Sequence, residues 1–376
     1  MIRALFLLLT IATAAPAAAF DTSARAAMVM DLTSGAVLIE KNVDQPLPPA
    51  SMSKLMTLNM VFEALQSGRL TLDETFVVSE KAWKMGGSRM FVEVDERVRI
   101  EDLIRGVIVL SGNDACIVLA EGMAGTEEAF ARRMNDRAAE LGLSGSHFTN
   151  ATGWPDPDHL MTMRDLMTLV DRMIHVFPEY YPIFAEREFE WGGVRQSNRN
   201  PLLGLGIGAD GLKTGHTEEA GYGLTASAMR EGRRIALVVS GLGGVAERAQ
   251  ETERLMTWAF REFRTEKLAS AGQVIGEAEV WMGDETTVKL APAADVWATA
   301  PFADAASTTL TIRYDGPTPA PIEAGRRIGE LIVAAPGLPP VSHPLVAAEA
   351  VEVGGVLTRV GAAADRLLGG LLGSAD

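Results

Sequence analysis

Cysteine is almost missing from this chain. Its 376 residues contain one, Cys116. A single thiol closes no disulfide within the chain and builds no cysteine cage for zinc. Histidine is scarce as well. His147, His159, His175, His216 and His343 are scattered without an HExxH or paired spacing, so no metal site and no cofactor is expected. Positive charge is in deficit: 34 Lys and Arg stand against 49 Asp and Glu, a net charge of −15. That balance argues against a general affinity for nucleic acid or anionic lipid, while leaving room for a local basic cleft. No serine sits in a GxSxG elbow, which disfavours an α/β-hydrolase triad. No long internal repeat is visible. Disorder is excluded too, because 47% of residues are hydrophobic and only 22% charged. The length suggests two domains, each able to bury a core.

The first 19 residues have the parts of a secretory signal. Arg3 supplies a positive start, residues 5–11 an apolar core, Pro16 a helix break, and Ala17, Ala18 and Ala19 a small-residue cleavage site. The apolar run is shorter than the roughly 20 residues a membrane-spanning helix needs. The expectation is an exported chain beginning near Phe20.

Residues 20–264 read as one domain. Two apolar runs, 28–31 and 36–40, flank Leu32-Thr33-Ser34-Gly35 and predict a hairpin. Helical spacing follows at 51–66, 103–110 and 115–123. A clear amphipathic helix spans 127–141, with Thr126 as N-cap and Gly142 as stop; another starts after Thr162 and ends before Pro178. Residues 222–229 and 234–241 are strand-like around a Glu231-Gly232 turn, and a helix over 246–263 closes the region. Strands at both ends with helices between predict an antiparallel sheet covered by helices. Residues 265–343 read as a small all-β domain, with strands at 274–282, 286–290, 308–314 and 328–333. Residues 344–376 form a tail rich in Ala, Gly, Val and Leu.

Three short motifs carry chemistry. In Ser51-Met52-Ser53-Lys54, a helix starting at Ser51 puts Lys54 one turn later on the same face. A serine hydroxyl is a poor nucleophile until a base takes its proton, and a lysine is a base only when burial or a nearby cation lowers its pKa. Ser111-Gly112-Asn113 lies in a loop between two helices, where it can face a cleft. Lys213-Thr214-Gly215 precedes the strand hairpin; Lys213 would place a second cation near Lys54, and Gly215 would let a substrate backbone approach. Alone, each motif is ordinary: a capping serine, a turn, a strand edge. Together and in this order they form the S-x-x-K, S-x-N and K-T-G set.

With these motifs the sequence resembles the low-molecular-mass penicillin-binding proteins that act as D-alanyl-D-alanine carboxypeptidases. The resemblance runs from about Arg25 to Glu262 and into the β domain. It is carried by Pro49-Ala50-Ser51-Met52-Ser53-Lys54-Leu55-Met56-Thr57 and by Arg105-Gly106 through Ser111-Gly112-Asn113-Asp114-Ala115-Cys116. Asn150-Ala151-Thr152-Gly153-Trp154-Pro155 and Asp210-Gly211-Leu212-Lys213-Thr214-Gly215-His216-Thr217 complete it. It implies the α/β (α+β) fold of penicillin-binding proteins and serine β-lactamases. It also implies a nucleophile at Ser51, a base at Lys54, a proton relay through Ser111, and oxyanion donors in the Ser51 and His216 backbone. Asn113 would position the peptidoglycan stem peptide, and Lys213 and Thr214 would hold its terminal carboxylate, with Arg248 a further candidate. Arg199 would order the cleft. β-Lactam antibiotics would acylate the same serine, in a periplasmic enzyme.

Two other readings stay open: a serine β-lactamase, and a non-catalytic wall-binding module. Against the first, no class A Glu-x-x-x-Asn segment occurs between Asn113 and Lys213, and Gly112 stands where class A enzymes carry Asp. Against the second, all the motif residues are present. Cys116 reads as a small buried hydrophobe, and Trp154 and Trp191 as packing residues by default, with lining of a cleft as the alternative. The tail carries Arg359 and Arg366 as its only cations and several glycines, so it departs from the basic amphipathic helix related enzymes use on the cytoplasmic membrane. Peripheral membrane contact is expected of it nonetheless.

Overall fold

The computed structural model describes residues 20–356; the signal-like segment and the end of the tail lie outside the described residues. Five strands build the central sheet: β1 (Ala26–Asp31), β2 (Ala36–Lys41), β3 (Ala209–Thr217), β4 (Gly221–Arg230) and β5 (Arg233–Leu242). Their order is β2-β1-β5-β4-β3, and every pairing is antiparallel. The β4–β5 turn is Glu231-Gly232, with φ of 50° and 80°. Such paired positive φ values suit a two-residue hairpin turn, because they match the right-handed strand twist.

Six longer helices accompany the sheet: α1 (Lys54–Gln66), α2 (Ile100–Ile108), α3 (Asn113–Ala124), α4 (Glu127–Glu140), α5 (Met163–His175) and α6 (Val245–Glu262). Thr126 accepts from the Ala129 amide, so the expected N-cap forms, and Thr162 caps the next helix in the same way by accepting from the Asp165 amide. Gly142 ends α4 with φ of 73°. The sheet is buried on both faces. On β5, Ile235, Leu237 and Val239 join the core under α6 with Leu255 and Met256. Ala236 and Val238 point the other way, into the larger core with Leu55, Phe62, Leu119 and Met173. Cys116 is fully buried there.

Ser51 does not open an α-helix as expected. It lies in a 3₁₀ turn, Ala50–Ser53, and Lys54 is the first residue of α1. The tighter turn eclipses residues three apart, which stacks Lys54 over Ser51 more directly than an α-turn would.

The C-terminal unit is all-β. Its six-stranded sheet orders Thr309–Tyr314, Arg327–Ala334, Val341–Ala347, Thr287–Pro292, Gly276–Trp281 and Thr318–Pro319. A second ribbon pairs Phe263–Ala269 with Val296–Pro301. Strand Val341–Ala347 crosses position 343, and bridges reach Val351 and Val353. The start of the expected tail therefore belongs to this unit, since Leu345, Ala347 and Val351 bury their side chains in its core. Among the described residues no helix is long and apolar enough to cross a membrane.

The two units meet at a buried carboxylate. Asp31, fully buried at the end of β1, accepts from Arg233 Nε at 2.7 Å, Thr265 Oγ1 at 2.6 Å and Thr299 Oγ1 at 2.8 Å. Its other oxygen accepts from the Thr33 amide. Asp31→Ala would strand the Arg233 charge, and one-sided removal of a buried pair costs about 3–5 kcal/mol. The expected result is a marked fall in melting temperature, read by calorimetry; an unchanged melt would refute this role for the carboxylate.

Candidate active site

Three chain segments converge on Ser51: the 3₁₀ turn that carries it, the α2–α3 loop, and strand β3. Lys54 Nζ lies 2.8 Å from Ser51 Oγ. It also donates to Asn113 Oδ1 at 2.7 Å and to the Thr152 carbonyl at 2.6 Å. A neutral amine matches this arrangement. Its two N–H bonds serve the two carbonyl oxygens, and its lone pair is left facing the serine hydroxyl. Lys213 Nζ donates to Ser111 Oγ at 2.8 Å and to the Thr214 carbonyl at 3.1 Å.

Both lysines are buried. Burial brings the Lys54 ammonium down to about 8, with Arg199 adding to the lowering and Asp114 opposing it. Lys213 is held well below its ordinary value by burial, then by Lys54 and Arg199. Two ammonium groups in one buried pocket repel, so protonating one disfavours protonating the other. Neighbouring Cys116 supplies no compensating charge, because burial pushes its thiol up to about 12.

The backbone around Ser51 is strained and tightly packed. Ala50 and Ser111 have φ of 49° and 59°, a region L-residues avoid. Gly153 has φ of 76°, and a Cβ there would overlap the Ala50 carbonyl. A Cβ on Gly215 would come within 2.9 Å of the Pro49 carbonyl and 3.3 Å of Ala50 Cβ. Glycine at these two positions lets the 150–153 loop and strand β3 close on the turn bearing Ser51. Asn150 Oδ1 accepts from the Thr152, Gly153 and Trp154 amides, which shapes that loop. On the opposite side, buried Asp114 accepts from the Met90 and Phe91 amides at 2.8 Å, and Asn113 Nδ2 donates to the Gly86 carbonyl. Arg199 donates to Ser88 Oγ, tying the 86–91 segment across the cleft.

The resulting cleft has a volume of about 480 Å³. Ser51, Asn113, Thr152, Trp154, Arg199 and His216 are among its lining residues. Trp154 is 45% exposed there, so it takes the cleft-lining alternative over the default packing role. Its rim position follows from the tight turn after Gly153. His216 stacks on Tyr222 at 3.9 Å, and the Arg248 guanidinium lies over the other partner ring, 5.6 Å from the Tyr222 centroid. Arg248 and His216 thus share Tyr222 as a neighbour. Burial lowers the Arg248 pKa, and among the described residues its buried Nε has no hydrogen-bond partner. Thr214 and Gly215 lie beside Lys213 on β3 as the motif requires.

The sequence motifs come together as expected, but several contributors were not read from them. The Thr152 carbonyl, the Gly86 carbonyl and the Ser88 hydroxyl act through backbone or loop position. Only the Asn150–Pro155 resemblance pointed near the first. Among the described residues no cluster of His, Cys, Asp or Glu is arranged to hold a metal. Chemically, the site offers a hydroxyl with a low-pKa amine in contact, a second amine-hydroxyl pair alongside, and an excess of cationic side chains.

Comparison with known proteins agrees. A family profile described as D-alanyl-D-alanine carboxypeptidase matches residues 11–243, and one described as the penicillin-binding protein 5 C-terminal domain matches residues 263–353. The chain is 38% identical over 351 residues to D-alanyl-D-alanine carboxypeptidase DacC of Escherichia coli (strain K12), covering 90% of this chain and 87% of that protein. Penicillin binding protein 5 from Haemophilus influenzae is similar in structure, with a TM-score of 0.81 and 35% identity over 88% of this chain and 98% of that one. Penicillin-binding protein D2 from Listeria monocytogenes, solved in its ampicillin-bound form, matches at a TM-score of 0.59 and 32% identity over 64% of this chain and 99% of its own. A serine nucleophile site of this geometry, a profile match across the catalytic unit and relatives of this extent place the chain in the D-alanyl-D-alanine carboxypeptidase family.

Proposed function

We propose that the protein removes the terminal D-alanine from peptidoglycan stem pentapeptides through an acyl-enzyme on Ser51. The observation that carries this reading is the 2.8 Å contact between Ser51 Oγ and the buried Lys54 amine. Ser51 Oγ attacks the carbonyl between the last two D-alanines, and its proton passes to Lys54 Nζ. The tetrahedral oxyanion is held by the Ser51 and His216 backbone N–H groups. The C–N bond then breaks, and the leaving amine takes a proton relayed from Lys54 through Ser111. Water completes hydrolysis of the ester. Asn113 positions the peptide. Lys213, Thr214 and the cation at Arg248 attract the free carboxylate. That carboxylate favours the charged form of Lys213, and by repulsion the neutral form of Lys54. Substrate binding thereby prepares the base.

Penicillins would acylate the same oxygen, in keeping with the ampicillin carried by the Listeria relative. The signal-like N-terminus, which lies outside the described residues, supports export to the periplasm. Peripheral contact with the cytoplasmic membrane through the tail would hold the enzyme near its substrate.

Ser51→Ala should abolish both D-alanine release and covalent penicillin labelling, a loss of at least roughly four orders of magnitude. Persistent turnover would refute the assignment. The pH dependence follows from Lys54. Below its pKa of about 8 the amine is an ammonium with no lone pair, so acylation should slow as pH falls and approach its plateau above about 8. A rate flat between pH 6 and 9 would exclude Lys54 as the base. Gly153→Ala, forced against the Ala50 carbonyl, should displace the nucleophile and lower the acylation rate roughly a hundredfold; wild-type labelling kinetics would contradict that packing argument.

A further inference from the structure

His159 carries no motif spacing, yet it is only 2% exposed beside the base. Its Nε2 lies 2.7 Å from Ser53 Oγ, the residue adjoining Lys54 in the nucleophile turn. Its Nδ1 lies 3.2 Å from the Thr149 amide, which can only donate. Nδ1 is therefore the bare nitrogen, and Nε2 carries the proton that reaches Ser53. The ring stands edge-on to Phe148, with centroids 5.6 Å apart. Burial pushes the imidazole down to about 4, with Asp156 opposing the shift and His147 and Lys54 reinforcing it. The ring is neutral wherever the enzyme works.

The two ends of this imidazole touch different segments. One end holds the turn that bears Ser51 and Lys54. The other holds the start of the loop whose Thr152 carbonyl receives Lys54 Nζ and whose Gly153 packs on Ala50. Thr57 Oγ1, donating to the Ala151 carbonyl at 2.7 Å, fixes the middle of the same loop. His159 spans the remaining gap between the two pieces that surround the amine.

We infer that His159 is a positioning residue for the Lys54 base, clasping the 149–153 loop to the nucleophile turn and keeping water from the amine. The inference rests on the Ser51–Lys54 reading above. Without the clasp the loop would loosen, Lys54 would be hydrated, and its proton affinity would rise toward that of an ordinary lysine. Acylation would then need higher pH. Protonating His159 itself would set a second N–H against the Thr149 amide and break the same clasp.

The test is the rate of penicillin acylation, followed by intact-mass spectrometry from about pH 5.5 to 10. Wild type, His159→Phe, His159→Gln and Ser53→Ala are compared, with melting temperatures measured alongside. His159→Phe keeps the ring volume but neither hydrogen bond. It should be slower by about 10- to 100-fold at pH 7, with a midpoint about one unit higher and complete labelling in the end. His159→Gln, which keeps a donor toward Ser53, should recover part of the rate. Ser53→Ala should move the midpoint the same way by less. A His159→Phe enzyme with a wild-type midpoint would overturn the inference, including one that merely labels to a lower fraction. Should that variant fail to fold, an unmoved midpoint in Ser53→Ala overturns it equally. Wild type that is not acylated on Ser51 at all would instead remove the underlying reading.

Discussion

The structure depends on keeping one lysine amine out of water. Lys54 is fully buried, and its ammonium form is disfavoured by desolvation before any neighbouring charge is counted. A lysine at its ordinary value would be protonated at neutral pH almost completely and could take no proton from a serine. The remaining features of the site maintain this condition. Three segments distant in sequence close over the amine, and each supplies one contact: Ser51 Oγ from the turn, Asn113 Oδ1 from the start of α3, and the Thr152 carbonyl from the loop after α4. Loss of any wall would admit water and restore the charge.

The strain around Ser51 has the same origin. Ala50 and Ser111 both sit at positive φ, a conformation costing of order 1–3 kcal/mol each. Such residues persist where the surroundings over-determine them. Here the determinants are visible. Gly153 and Gly215 press the turn from two sides, and Asp114 takes two amides of the 86–91 segment while opening α3. The helical core and the doubly buried sheet make this frame rigid. The Asp31 carboxylate then fastens the β unit to the far end of β1 and to Arg233, away from the chemistry.

What the sequence reveals follows the range of the forces involved. Thr126, Thr162 and Glu231-Gly232 act within three or four residues, and they produced the caps and the turn their types predict. Strands Phe263–Ala269, Val296–Pro301 and Val341–Ala347 were not distinguished. Their apolar residues alternate only over short stretches broken by Pro, Ala or charge, and their pairing is set by partners elsewhere in the chain. Within the site, side-chain chemistry at a characteristic spacing was legible: Ser51, Lys54, Ser111, Asn113 and Lys213 all meet. Backbone carbonyls were not, since any residue could supply the oxygen of Thr152. His159 was invisible for a related reason. Its partners are a serine 106 positions away and a main-chain amide, neither of which leaves a pattern beside it.

The charge distribution adds a final constraint. The chain as a whole carries −15, yet Lys54, Lys213, Arg199 and Arg248 gather around one cleft. Arg199 lowers the proton affinity of both lysines, Lys54 and Arg248 lower that of Lys213, and among the described residues the buried Arg248 Nε has no hydrogen-bond partner. Buried cations without carboxylate partners are unfavourable. In the proposed reaction the substrate carboxylate would offset that repulsion and be attracted by it. The same repulsion would therefore serve two ends in the proposed reaction: it would favour a peptide with a free terminus, and, through Arg199, it lowers the proton affinity of the amine beside Ser51. In a Ser–Lys site of this kind the base and the cationic field of the cleft cannot be separated, because Arg199, which lines the cleft, also lowers the proton affinity of Lys54.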